Sequence, residues 1–454
     1  MRACSMLQRV ILNTDLRQAV FQAPMAPQSK TMWFDPQLRA KSAELQETIR
    51  KLSDTLCEHE SASGPRKRAR KDSDRKKFAV AVEALACNVI LLKAVAADTL
   101  LAVPRSHNFI WQGTGRTSPV FEQHFLTAIA LLASLGLIID KQRGYRISAR
   151  LKVPSLIGPT ARLAQHLPIA PPDWRNVYQI DDPALVVLKE GKDIEGRAAP
   201  IRYAETVQTK KFANQIRRIN KFLRDADIEV IGQNPGLSLG KDGQIIAPYR
   251  RSLRRVFNNG TWMHGGRLAG GFWMSMERSQ RENIRIDGER VADVDYRQLF
   301  PRLAYVRAGQ PQPDGDIYDM FGDGTGRDGC KKLMNAMLFA DNPLGNWPED
   351  TRQHFPAGTK LRTAIEMLTA RHAPIAKLFG TGLGFQLMRI ESDMLIEVIT
   401  YLASIGVTAL PLHDAVLVAE SKAEIAAKAM RDVFERWSGS PCAIVSVRFS
   451  SKQQ

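Results

Sequence analysis

The sequence predicts an α+β fold assembled from several domains, on three observations. Long stretches such as residues 78–103 repeat apolar residues at helical spacing. The run "GVTALPLHDAVLVAES", residues 406–421, is apolar on both sides of His413-Asp414, as two strands joined by a tight turn would be. At 454 residues the chain is also too long for one ordinary core.

The charge is lopsided. Lys and Arg number 64 against 47 Asp and Glu, a net +17 with 44% hydrophobic residues, and the pI is near 9.8. Such a balance suits a polyanionic partner, nucleic acid before anionic membrane. Five scattered cysteines without a CxxC spacing exclude a disulfide framework and a structural zinc site. No apolar run reaches the ~20 residues of a membrane span, and the N-terminus lacks a signal-peptide core. A reducing cytoplasm is the compartment expected.

The elements follow in order. Residues 1–77 hold a charged helical stretch, "AKSAELQETIRKLSDTLCEHE". The basic run "SASGPRKRARKDSDRKK" follows it and reads as a flexible linker or as a contact for nucleic-acid backbone. Residues 78–170 open on a buried apolar helix. Ser118-Pro119 then starts a second helix, Gly136 ends it, and "LIID" and "YRIS" flank a turn around Gly144. Helix, strand, turn, strand is the outline of a winged helix, a shape that serves DNA or protein contacts. "LPIAPPDW" marks a boundary near residue 170. Beyond it, "ETVQTKKFANQIRRINKFLRDADI" sets Lys210, Lys211, Arg217, Arg218, Lys221 and Arg224 against an apolar stripe of Phe212, Ile216, Ile219 and Phe222. The basic face can track a phosphate backbone or simply face water.

"RVADVDYRQLFPRLAY", residues 290–305, places Asp293 and Asp295 in a short apolar strand. Buried carboxylates are costly unless a cation or hydrogen bonds compensate them. Paired with Asp414 of the downstream hairpin, Asp295 gives two acids on two strands, a donor set suited to Mg²⁺. Between them, Arg327, Lys331, Asn335 and Phe339 recur every four residues and form one helical stripe. Its cations suit a triphosphate and its aromatic a base, whereas alone it would be an ordinary surface helix.

This order of elements resembles the palm and fingers of single-subunit right-handed polymerases, nearest the family A DNA polymerases and their phage-type RNA polymerase relatives. Motif A there is a strand ending in Asp-Tyr before a helix, matched by Asp295-Tyr296 with Pro301 in the first helical turn. "GDIYDMF" is similar to the stretch that follows it. Motif B, Arg-x3-Lys-x3-aromatic-x3-Tyr, is matched in spacing by Arg327, Lys331, Asn335 and Phe339, with Asn and Phe replacing the aromatic and the Tyr. Motif C, His-Asp at a hairpin tip, is matched by His413-Asp414, with Ala415 where family A DNA polymerases carry a further acid. "RRVFNNGTWMHGGRLAGGFW" resembles the Gly-Arg segment against the primer–template minor groove, and "GFQLMRIESDMLIEVI" the helix before motif C. The combination is similar to a bacterial and mobile-element group with this palm, over roughly residues 250–440.

The resemblance implies a right-hand polymerase. Its antiparallel-sheet palm would occupy 261–454 with reduced helical fingers at about 315–345, after a thumb-like helical region at 171–260. Asp295, Asp414 and the backbone carbonyl of Tyr296 would hold two Mg²⁺ ions, or Mn²⁺ in their place. Asp293 is an auxiliary candidate, and Glu391 and Asp393 read as polar helix positions rather than ligands. Arg327 and Lys331 would neutralise the departing pyrophosphate. Arg267, Gln386 and His413 would meet the nucleic acid, with Lys210, Arg217 and Lys221 along its backbone. Phe300, five residues after Asp295, would crowd a ribose 2′-hydroxyl and favour dNTPs. The expected activity is DNA-dependent extension of a DNA primer without a proofreading exonuclease, on a bacterial nucleoid, plasmid or phage genome. An RNA polymerase or primase on the same palm is the rival within the enzyme class. A nucleic-acid-binding replication or regulatory protein with a degenerate palm is the rival outside it, and a Mg²⁺-dependent nuclease a weaker third.

Overall fold

The computed structural model describes residues 31–449, apart from 64–67, 96–97, 106–117, 119, 147–151, 168–173, 183, 193–195, 197, 233–236, 240–244, 321 and 442–444. It is an α+β structure in which antiparallel pairing dominates the sheets.

The first core joins three helices to a small sheet. Helix α1 (Ala43–Ser63) buries Leu45, Ile49, Leu52 and Leu56, one stripe at helical spacing. Helix α2 (Asp72–Val95) carries Asp72 and Asp74 in its first turn, where negative charge complements the helix dipole. Its second half is apolar around most of its circumference and is buried accordingly. Helix α3 is Gln123–Ser134. Strands β1 (Thr31–Trp33), β2 (Leu100–Val103), β3 (Ile138–Gln142) and β4 (Ser155–Pro159) form a sheet in the order β1-β2-β4-β3, with β1 parallel to β2.

Two expectations change here. The break expected at residue 77 falls inside α2, and Met32 to Leu56 share one core with Phe78 to Leu167. The helix–hairpin order is present, but α3 begins at Gln123 rather than at Ser118; Pro119 lies outside the described residues. Gly136 (φ 65) ends α3, with the Leu137 N–H reaching back to Leu132. Strand β3 pairs with β4, whereas Tyr145–Arg146 pair with Lys152–Val153. Gly144 is therefore not a turn residue. Its N–H donates to Ser155 Oγ at 3.0 Å, and an added Cβ would sit 2.8 Å from the Ser155 nitrogen, so the partner strand excludes a side chain there.

The second body contains a four-stranded and a six-stranded sheet. Strands β5 (Val186–Lys189), β6 (Pro200–Ile201), β8 (Arg254–Phe257) and β9 (Gly265–Ala269) form the smaller one, in the order β6-β5-β8-β9. Helix α4 (Val207–Asp225) packs on β8 and β5, buries Phe212, Ile216, Ile219 and Leu223, and begins with a Thr206–Thr209 capping box. Leu223, rather than Phe222, completes the fully buried stripe.

The larger sheet runs β7 (Ile228–Val230), β10 (Ile284–Ile286), β11 (Glu289–Tyr296), β13 (Ala415–Ala419), β12 (Ala409–Leu412), with β14 (Val445–Phe449) also on β11. All its pairings are antiparallel. Pro411 sits in the edge strand β12, where its missing N–H costs no ladder bond. The expected division at residue 260 is not a boundary. It cuts the β8–β9 hairpin, and β7, from the region expected to be thumb-like, is an edge of this sheet.

Between β11 and the β12–β13 hairpin lie helices α5 (Leu299–Arg307), α6 (Arg327–Phe339), α7 (Leu361–Arg371) and α8 (Leu383–Ser404). The helical insertion thus runs past residue 345, through α7 and a 3₁₀ turn ending at Leu378. Helix α9 (Ala423–Ser438) packs under β11, where Tyr296 donates its hydroxyl to the Met430 carbonyl at 2.6 Å. Among the described residues no helix is long and apolar enough to cross a membrane.

Candidate active site

Strand β11 explains why two acids sit in an apolar run. Ala292, Val294 and Tyr296 are buried in the core, while the alternate residues Asp293 and Asp295 are only partly buried on the opposite face. Asp295 lies across from Ala415 on β13 and from Ser446 on β14. The hairpin turn is two residues long, with His413 at φ 59. Its Asp414 carbonyl accepts the Tyr296 N–H at 3.2 Å, so the two expected acids meet at adjoining strand ends.

The electrostatics record this meeting. Burial, then the charges of Asp414 and Asp293, push the Asp295 carboxyl up, while Arg448 and Lys331 oppose the shift. Burial also pushes Asp414 up, against its own backbone N–H, Arg267, His413 and Lys331. His413 stands at the turn; partial burial and then the charge of Arg267 hold its imidazole below the usual range.

Helix α6 brings Lys331 of its stripe near these acids. Lys331 acts on both carboxylates through its charge. Arg327, at the first helical position, donates Nε to Asp316 at 2.6 Å and lies 5.7 Å from the Tyr318 ring. Tyr318 was not singled out from the sequence. It is buried, and burial followed by the charge of Asp414 pushes its phenol up. The Asn335 amide oxygen is buried without a partner among the described residues. The Phe339 ring is not an open stacking face: it meets Phe300 at 5.5 Å and Phe385 at 5.2 Å and fills the space an added Cβ on Gly384 would need. Phe300 lies between Phe339 and the Arg267 guanidinium, which is 5.6 Å from its ring.

Arg267 follows Gly265 and Gly266, both at positive φ, and lies on β9. It donates Nε and Nη2 to the two oxygens of Glu391, each at 2.8 Å. Glu391 is 1% exposed, so it is the buried partner of a candidate nucleic-acid contact rather than an incidental polar position on α8. Burial pushes its carboxyl up to about 7, against Arg267. Burial also works to lower the Arg267 pKa, and Glu391 outweighs it. These two shifts point to opposite charge states for Glu391. Two N–H donors meeting two oxygens is carboxylate geometry, so the pair is ionised. Nearby, Asp393 binds Arg255 at 2.6 Å and also Arg389, as a residue that orients basic neighbours would.

Other expected contacts lie apart. Gln386 is exposed in the first turn of α8. Lys210, Arg217 and Lys221 are exposed on the outer face of α4, and no described contact joins them to the acids. A cleft of about 820 Å³ runs between the N-terminal core and the smaller sheet, from Trp33 to Arg254 and Arg267; neither Asp295 nor Asp414 lines it.

The last strand supplies groups the sequence did not suggest. Arg448 Nη2 is 3.0 Å from Asp293 Oδ2 and 3.6 Å from Asp295 Oδ2. Asp293 Oδ1 and Ser446 Oγ are buried without a partner among the described residues. Carboxylate oxygens are the donors Mg²⁺ and Mn²⁺ take, and a divalent ion would offset the burial that raises both acids and the repulsion that adds to it at Asp295, so the residues fit such an ion. Among the described residues no three acids, histidines or cysteines are grouped to enclose an ion by themselves. Substrate oxygens and water would complete its coordination.

No protein-family model and no curated protein matches the chain.

Proposed function

We propose that this protein is a template-directed nucleotidyltransferase, a DNA polymerase that extends a primer 3′-hydroxyl with dNTPs on a right-hand palm formed by the six-stranded sheet. The observation that carries the reading is the apposition of Asp295 and Asp414 across the Tyr296–Asp414 backbone bond, in a site that also feels the Lys331 charge. Asp295, Asp414 and the Tyr296 carbonyl would hold two Mg²⁺ ions, or Mn²⁺, and such ions supply Lewis acidity toward the attacking hydroxyl and the leaving phosphate.

The chain's own contribution is positioning and charge. Lys331, and Arg327 once it leaves Asp316, neutralise the triphosphate. Tyr318 and Phe300 wall the nucleotide side of the site, and Phe300, packed against Phe339, narrows the space for a ribose 2′-hydroxyl. Arg267, pre-aimed by Glu391, and the exposed Gln386 and His413 contact the primer–template. The basic face of α4, with Lys210, Arg217 and Lys221, follows the phosphate backbone farther out. The test is extension of a primed DNA template by the purified protein, comparing four dNTPs with four NTPs, with and without the primer. Extension confined to dNTPs and requiring the primer supports the reading; synthesis from NTPs alone selects the RNA polymerase or primase instead.

A further inference from the structure

We propose that Arg448, on the last strand, is a built-in counter-cation of the acidic face, and that a divalent ion must displace it from Asp295. This rests on the metal-binding reading of the site and adds to it a residue from outside the motifs. The sheet register is the first support. Strand β14 runs antiparallel along β11, with Arg448 directly opposite Asp293 and Ser446 directly opposite Asp295. Directly opposed residues share a face of the sheet, so Arg448 projects on the side that carries both acids.

The contacts are the second support. One guanidinium nitrogen lies 3.0 Å from an oxygen of Asp293 and 3.6 Å from an oxygen of Asp295. It therefore bridges the acid proposed to bind metal and the acid two residues before it. The third support is exposure. The Arg448 side chain is 45% exposed, so its guanidinium can swing into water without opening the core, while Asp293 keeps it tethered nearby. Other cations act on this face without such a bridge. Lys331 and Arg267 act on Asp414 from α6 and β9, and Arg281, held by the Met276 carbonyl at 2.7 Å, acts on Asp293.

A cation resting on a ligand oxygen opposes a second cation at the same oxygen. Neutralising Arg448 should therefore strengthen divalent binding, and the gain should shrink as salt screens the charges. A purely structural cross-strand pair would instead change stability and leave ion affinity alone.

The experiment is a titration of the full-length protein with Mn²⁺ at low ionic strength, reading free Mn²⁺ by electron paramagnetic resonance. It compares wild type, Arg448→Gln, Arg448→Met, Arg448→Lys and Asp414→Asn. The expected result is roughly tenfold tighter binding in both neutral variants, near wild-type binding in Arg448→Lys, and weakened binding in Asp414→Asn. The half-saturating Mg²⁺ for primer extension should fall in parallel. Unchanged or weaker Mn²⁺ binding in both neutral variants, with Asp414→Asn still impaired, overturns the role of Arg448 alone. Equal binding by wild type and Asp414→Asn overturns the two-acid site and this inference with it.

Discussion

Arg267 and Glu391 form a two-pronged ion pair, 2.8 Å at each contact, between a strand and a helix remote in sequence. Only the arginine end reaches solvent: its side chain is 31% exposed, that of Glu391 1%. The pair fixes a cation that lies near Phe300 and also acts on Asp414.

Removing the arginine leaves Glu391, 1% exposed, buried and uncompensated. Arg267→Ala is expected to destabilise the fold by about 3–5 kcal/mol, and Glu391→Ala by less because Arg267 reaches water, both measured by urea denaturation. The double variant Arg267→Ala/Glu391→Ala should lose clearly less than the two single losses added together. Additive losses would show that the contact is not coupled.

Phe300 packs between Arg267 and Phe339. Phe300→Ala should relax the preference for dNTPs over NTPs, read as the ratio of kcat/KM values for one incoming nucleotide. An unchanged ratio with reduced stability would make the ring a core filler only.

The acids should also set a pH dependence. Asp295 moves from the usual 3.8 to about 7, through burial and then the Asp414 charge, and Asp414 is also raised. The Asp295 carboxyl binds more protons folded than unfolded between those values. Its contribution to stability is therefore full at low pH and is lost as pH rises through about 4 to 7, and the Asp414 charge is part of what sets that loss. Without divalent ion, Asp414→Asn should melt a few degrees above wild type near pH 8, with the gap closing near pH 4. A gap that stays constant, or that opens only in acid, contradicts the assignment.

Local pattern made part of this legible. A period of two in "VADVDY" put both acids on one sheet face, the apolar flanks of His413-Asp414 gave the hairpin, and four-residue spacing gave the α6 stripe. What stayed hidden is nonlocal. Arg448 and Ser446 become neighbours of the acids only through the β11–β14 register. Glu391 looks like any polar helix position until Arg267 arrives from β9. The domain limits failed for the same reason, since β7 joins a sheet completed by β12 and Tyr249 joins the N-terminal core. Gly144 misled because a glycine forced by a close strand looks, in sequence, like a glycine forced by a turn.

The most direct measurement of the central claim is single-nucleotide extension of a primed DNA template by Asp295→Asn and Asp414→Asn, alongside binding of the same DNA. Each variant should bind the primer–template about as well as wild type and fail to add a nucleotide in Mg²⁺. Extension near the wild-type rate by either variant would contradict the account.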